Sequence, residues 1–414
     1  MKIINKMAFS FCLIVFLGSG ILLFGQTKAI RGAEIHTMAG EVIKSGIILI
    51  EQGKIVAIGD NVMVPAGAEI IEASGWILYP GFIASSCRLS SEEIQNFESF
   101  SPDLSSLDGF DFFGDYSRLL AGGITAIYLD TSKNRLISGK GALVKLGTGQ
   151  GGPPVLKKDA ALRINLGEGS LLPPMTKVYP APISDENPIT PVQKQFPSSS
   201  LGAYWVVRSI FRFEPYTGDL AKYMNNISSS LRKAQEQKIP LLIQCQKVPE
   251  IEQAIELSEQ LKIPLIISGG AEAHRLSAVL KEKNIPVIAE SNLKPNDVYK
   301  EKTFPLSEGS LNDPENISVL IGQGILTSIA PAEDKNLPDL LWIVLYHQKY
   351  GLSAEDLIKS ITINPARIFG VDSRIGSLEK GKDADILFFQ SEPGKPLPRL
   401  RKVMIEGRII HEQH

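Results

Sequence analysis

Apolar and polar positions along the chain fall into three regimes. From residue 30 to 74 the apolar positions form short runs broken by tight turns. GIILIEQGKIVAIG, residues 46–59, is two apolar stretches around Gln52-Gly53, the pattern of a β-hairpin. The C-terminal end answers in kind: ADILFF (384–389) reads as one strand and VMIEGRII (403–410) as a hairpin around Glu406-Gly407. Two β-rich ends around a different middle predict one small sheet domain assembled from both termini.

The middle repeats itself. Lys238-Ile239-Pro240 opens LLIQCQ, Lys262-Ile263-Pro264 opens LIISGG, and Asn284-Ile285-Pro286 opens VIAES. Between them lie helical patterns, PEIEQAIELSEQLK with Ile251, Ile255 and Leu261 on one face, and AEAHRLSAVLKEKN. An apolar strand followed by an amphipathic helix, recurring at about two dozen residues, is the βα unit of a parallel sheet. An earlier copy has a helix at Tyr116–Ala121 and the strand GITAIYLD ending at Asp130. Several such units predict an α/β fold, a (β/α)8 barrel or a doubly wound sheet. Residues 151–200, with Pro153-Pro154 and Pro173-Pro174, break the rhythm and read as long loops.

At 414 residues the chain is long enough for one large barrel or two domains. Mean hydropathy is +0.04 and the hydrophobic fraction 43%, which fits a globular protein with a sizeable core. The 43 basic and 45 acidic residues nearly cancel and form no long basic run, so no nucleic-acid partner is expected. The N-terminus has the layout of a signal peptide. Lys2 and Lys6 precede an apolar run from Phe9 to Phe24, followed by the small-x-small site Thr27-Lys28-Ala29. This predicts export to the periplasm or outside the cell, a mature chain starting near Ile30, and no membrane partner after cleavage. An anchor that is kept is the alternative, because the run approaches spanning length. Cleavage would leave Cys87 and Cys245, which do not make a disulfide scaffold; whether they pair stays open.

Several blocks carry a family resemblance. AIGDNVMVPAGAEIIEASGWILYPGF, SPDLSSLDGFD, LLAGGITAIYLDTSKNRLISGKGALVKLG, GGAEAHRL and, most specifically, ITINPARIFGVDSRIGSLEKGKDADILFF resemble the amidohydrolase superfamily, in particular its imidazolonepropionase-like secreted branch. The resemblance implies a (β/α)8 (TIM-like) barrel with a small composite β-sandwich formed by both chain ends. The corresponding boundaries are 1–29 for the signal, 30–79 and 371–414 for the sandwich, and 80–370 for the barrel. It further implies one or two divalent metals, zinc or another, at the C-terminal face of the barrel. The family ligands are a His-x-His after the first strand, single histidines after the fifth and sixth, an aspartate after the eighth, and in many members a carboxylated lysine. Such a metal lowers the pKa of a bound water to near neutrality.

This chain departs from that pattern at nearly every ligand. The two histidine seats after the first strand fall on Ser86 and Arg88, the fifth-strand seat on Gln244 and the sixth on Gly269. The aspartate seat falls on Ala330, with Asp334 available by a small shift. A guanidinium about 4 Å from a dication is repelled by roughly 8 kcal/mol at an effective dielectric near 20, and it stays protonated. No metal and no other cofactor are therefore expected.

A replacement metal site from Glu272, His274 and Glu290 is the remaining metal alternative, though without the usual ligand spacing. Among the other histidines, His36, His411 and His414 belong to the chain ends, and His347 reads as a helix-surface residue. Cys87 and Cys245 read as buried packing residues, and Ser85 and Ser86 have no histidine near them in sequence. The candidate pocket at the strand ends comprises Asp130, Gln246, Glu272, His274 and Glu290. Within it Arg88 is expected to pair with Asp130 or Glu290, or to hold the carboxylate of a small ligand. The preferred function is an exported amidohydrolase-like protein that has given up metal-dependent hydrolysis and acts in ligand binding or assembly, with a homo-oligomer left open. The alternative is an active hydrolase of non-peptide C–N bonds, on cyclic amide or dipeptide-like substrates, with an unorthodox site.

Overall fold

The computed structural model describes residues 27–89, 100–147, 155–167, 197, 199–212, 221–291, 315–393 and 398–413. The chain opens with β1 (Lys28–Ile35), β2 (Ile43–Glu51), β3 (Lys54–Gly59), β4 (Glu69–Glu72) and β5 (Ile77–Pro80). β1, β2 and β3 form an antiparallel meander. At its second turn Gln52 and Gly53 both take positive φ, 50° and 78°, as a two-residue hairpin turn demands for its twist to match the strands. The other edge of β1 is shared between β4 and β5, both parallel to it. The signal-like segment before residue 27 lies outside the described residues; β1 starts at Lys28, two residues before the expected mature start.

The middle of the chain supplies β6 (Phe82–Cys87), α1 (Ser117–Ala121), β7 (Ile124–Leu129), β8 (Ile137–Lys145) and β9 (Val155–Asn165). Next come α2 (Ser200–Ile210), α3 (Ala221–Glu236), β10 (Leu241–Cys245), α4 (Val248–Leu261), β11 (Leu265–Gly269), α5 (Ser277–Glu282) and β12 (Val287–Ser291). The barrel ends with α6 (Glu315–Gly322), β13 (Thr327–Pro331), α7 (Leu340–Leu345), α8 (Ala354–Lys359) and α9 (Ile363–Ile368). β6 to β13 form one eight-stranded sheet in sequence order, a nearly closed barrel with helices outside. Its seam is not a ladder: Ile83 and Ile329 donate to the carbonyls of Ile361 and Ser360, and Ser328 Oγ lies 2.8 Å from Ser85 Oγ.

Two features differ from the sequence expectation. β8 runs antiparallel to both β7 and β9, because the short link from Asp130 to Leu136 turns the chain back and leaves no room for a crossover helix. The stretch from 151 to 200, expected as loops, contains the eleven-residue strand β9. Pro153-Pro154 ahead of it and Lys157-Lys158-Asp159 within it hide its apolar alternation. Residues 168–196 lie outside the described residues.

The three repeats end their helices in one way. Lys238, Lys262 and Asn284 each take a left-handed conformation (φ 52°, 55° and 52°), and the isoleucine that follows donates five residues back, to Ala234, Ser258 and Leu280. This is the Schellman closure, and Gly324-Ile325 repeats it before β13. The prolines at 240, 264 and 286 then open each strand. They have no N–H to give, but their carbonyls accept from the neighbouring strand at 2.8–3.0 Å.

The barrel interior is apolar at its lower end, where Ile83, Tyr128, Leu242, Ile266, Ile288 and Ala330 pack with Phe369 below. Tyr128 stacks on Phe369 at 4.2 Å. β14 (Ile386–Phe389), β15 (Leu400–Ile405) and β16 (Arg408–Glu412) return to the first sheet. There β14 pairs antiparallel with β5, giving an eight-stranded composite sheet with its own core of Ile30, Ile48, Leu78, Ile386, Phe388 and Met404. The chain passes between the two domains at Pro80-Gly81. A Cβ on Gly81 would lie 2.0 Å from Thr125 Oγ1, so only glycine lets this junction sit against β7.

Candidate functional site at the barrel mouth

Strand alternation builds the site. Above the apolar layer, the next inward positions are polar: Arg163 after Ala161 on β9, Gln244 after Leu242 on β10, Ser268 after Ile266 on β11 and Glu290 after Ile288 on β12. A register shift in β6 between Ala84 and Cys87 brings Ser86 within 3.2 Å of Asp130 Oδ2, to which its hydroxyl donates.

Arg163 lies at the centre, fully buried. Its Nη1 pairs with Asp130, its Nη2 donates to Gln244 Oε1 at 2.6 Å and its Nε to Asn165 Oδ1 at 2.9 Å. Gln244 Oε1 also accepts from Ser268 Oγ at 3.0 Å. Nearer the rim, Lys133 Nζ meets Glu290 Oε1 at 2.5 Å and Arg88 Nε donates to Asp334 Oδ2 at 2.9 Å. Burial works to raise the Glu290 carboxyl, but Lys133 in contact, with Arg163 and Arg88 behind it, holds it below the usual carboxylate range. Each of three cations thus has its own carboxylate, and the mouth is nearly neutral. Removing one partner of the fully buried Arg163–Asp130 pair costs about 3–5 kcal/mol, because the other charge is left without compensation.

The donor set does not fit the divalent metal of the resemblance. Ser86 is spent on Asp130, Gln244 on Arg163 and Ser268, and Arg88 on Asp334. Ala330 is an apolar wall. Gly269 has φ +88°, and a Cβ there would fall 2.5 Å from the Gln246 amide, which fills the space. A dication in this mouth would face fixed guanidinium and ammonium groups rather than free ligands. Among the described residues no group of three or more His, Cys, Asp or Glu side chains is placed to hold a metal ion.

Several expectations change. Arg88 pairs with neither Asp130 nor Glu290: those acids are taken by Arg163 and Lys133, and Arg88 reaches Asp334 instead. Glu272 and His274 do not join Glu290. Glu272 accepts from the Val248 backbone at the start of α4 and pairs with Arg275, while His274 bonds Asn316 near the start of α6. Both thus serve the helix layer. Gln246 accepts from Ala271 N at 3.1 Å and stays beside Gly269.

His347, expected on a helix surface, is buried, with Nε2 3.1 Å from Ser291 Oγ. Tertiary packing of its short 3-10 turn (Tyr346–Tyr350) covers it. Cys87 and Cys245 are both buried and form no disulfide with each other; burial pushes the Cys87 thiol well up, which makes it inert at neutral pH. His36 stacks on Tyr79 in the composite sheet and His411 lies in β16; His414 is outside the described residues.

Sequence reading missed Arg163, Lys133, Asn165 and Ser268. For Arg163 a signal existed. In AALRIN, residues 160–165, a charged residue occupies the alternation phase of Ala161, which marks a polar group facing inward.

The comparisons with known proteins follow this geometry. A model of the amidohydrolase family matches residues 314–410. The imidazolonepropionase of Picrophilus torridus is 30% identical over 96 residues, 23% of this chain and 24% of that protein. That of Thermoplasma acidophilum is 24% identical over 153 residues, 34% of this chain and 37% of that protein. The matched segments thus span well under half the length of these two curated relatives. Among solved structures, an amidohydrolase from Thermotoga maritima superposes with a TM-score of 0.75 at 26% identity, covering 93% of this chain and all of that one. Barrel, composite sheet and matched segments together support the amidohydrolase superfamily, and the curated relatives matched over part of the chain are imidazolonepropionases.

Proposed function

We propose that this chain is an exported amidohydrolase-like protein that binds a small polar ligand at the barrel mouth and has given up metal-dependent hydrolysis. The observation that carries the reading is Arg163, whose buried guanidinium is held by Asp130 and by Gln244, the residue in the fifth-strand histidine seat. A fixed monovalent cation there supplies charge for the neighbouring carboxylate but has no open coordination position for water.

Ligand chemistry follows from exposure. The Arg163–Asp130 pair is sealed, whereas the Arg88–Asp334 side chains remain 31% and 28% exposed. Arg88 and Asp334 are therefore the groups that can exchange partners with a small carboxylate or zwitterion. Export rests on the basic-then-apolar N-terminus and its small-residue site.

The test is metal analysis of the purified protein after zinc incubation and dialysis, alongside hydrolysis assays on imide, cyclic amide and dipeptide panels. Substoichiometric metal and no turnover are expected. One tightly held zinc per chain, with hydrolysis abolished by chelation, would overturn the reading in favour of an active C–N hydrolase.

A further inference from the structure

We propose a second ligand site, separate from the mouth, in the cleft where the outer face of the barrel meets the composite sheet; it is built for small organic anions that join a carboxylate or phosphate to an apolar body. The cleft has a volume of about 510 Å³, within the range of small-molecule sites. Arg118 enters it from α1, Leu341 and Trp342 from α7, Arg399 and Arg401 from the start of β15, and Gln413 from the end of the chain.

The charge is one-sided. Among the described residues the lining contains three arginines and no acidic residue, on a chain whose net charge is −2. Neither Arg118 nor Arg399 has a carboxylate partner among the described residues, in contrast to every cation of the mouth. Arginines gathered in a concave, partly apolar surface create a positive potential that attracts anions, and their planar forks match carboxylate and phosphate alike.

The other wall is apolar. Trp342 is 44% exposed although it is a large aromatic, and it sits beside Leu341. An inorganic anion uses only the arginines, and a neutral aromatic only the indole and aliphatic wall. A ligand that carries both groups uses the whole cleft.

The test titrates the purified full chain at low ionic strength with phenyl phosphate, benzoate, inorganic phosphate and benzyl alcohol, followed by calorimetry. Saturable binding of phenyl phosphate or benzoate is expected, about tenfold or more tighter than inorganic phosphate and benzyl alcohol. The better of the two aromatic probes decides between phosphate and carboxylate. Binding should weaken by about tenfold or more in an Arg118→Gln/Arg399→Gln double variant and in Trp342→Ala, with thermal melts matching the parent, and should survive Arg88→Gln at the mouth. No saturable binding of either aromatic anion at millimolar concentration overturns the proposal. So does binding that the double variant retains, or binding that Arg88→Gln abolishes. Because the variants at the cleft and the mouth are disjoint, failure here leaves the reading of the mouth untouched.

Discussion

His347 shows how one side chain carries a pH dependence that its sequence setting conceals. Burial, with Lys349 adding to it, pushes its pKa down from 6.5 to about 4, and its Nδ1 has no hydrogen-bond partner among the described residues. The folded chain therefore keeps the imidazole neutral where the unfolded chain takes up a proton. Between pH 6.5 and 4 the unfolded state binds more protons, so stability falls as pH falls through that window, by on the order of 3 kcal/mol in full. Denaturant unfolding of the parent and of His347→Gln from pH 4 to 8 should show a flatter slope for the variant; equal slopes would remove His347 from the account. In sequence, LLWIVLYHQKYG read as a helix with a surface histidine, because periodicity cannot tell which side of a short turn the neighbouring helices cover. Ser86, Arg88 and Gln244 were picked out as mouth positions because the motif around each is local. Arg163 was not, since its meaning depends on a strand that proline and lysine disguise.

At the scale of elements, the strongest sequence signal was the Lys/Asn-Ile-Pro repeat, and its physical content is the left-handed helix end. An L-residue in that conformation costs about 1–2 kcal/mol relative to a right-handed one, while glycine adopts it freely at an entropic cost of about 0.5–1 kcal/mol. Lys262, exposed at φ 55°, is thus a site where glycine should help. Lys262→Gly is expected to gain up to about 1 kcal/mol in urea unfolding, and Lys262→Val to lose more than about 1 kcal/mol. A loss in the glycine variant would mean that the lysine side chain contributes more than its backbone costs. Gly324 already occupies the equivalent position before β13. The hairpins at Gln52-Gly53 and Glu406-Gly407 were likewise legible, for both require positive φ at two adjacent residues. The antiparallel course of β8 was not, because strand direction depends on which partner edge is free.

Across the whole molecule, one side chain ties the barrel to the composite sheet. Lys145, at the end of β8, is fully buried and lies 2.7 Å from Asp383 and 3.1 Å from both Asp385 and Glu406. Burial disfavours its charge, but the carboxylates of Asp385 and Asp383 outweigh that and hold its pKa above the ordinary lysine value. Lys145→Met should cost about 3–5 kcal/mol and speed amide exchange in β14 and β15 more than in β10 and β11; a uniform change would argue against a link between domains. The sequence by itself determined the β-rich ends and the βα units between them. Those properties live in alternation, turn chemistry and short motifs, which act over a few residues. Only the tertiary structure decided which charges meet. Arg88 finds Asp334 across 246 positions and Arg163 finds Asp130 across 33. Such pairs are fixed by strand register and by the exclusion of water from the barrel, neither of which is written locally in the chain.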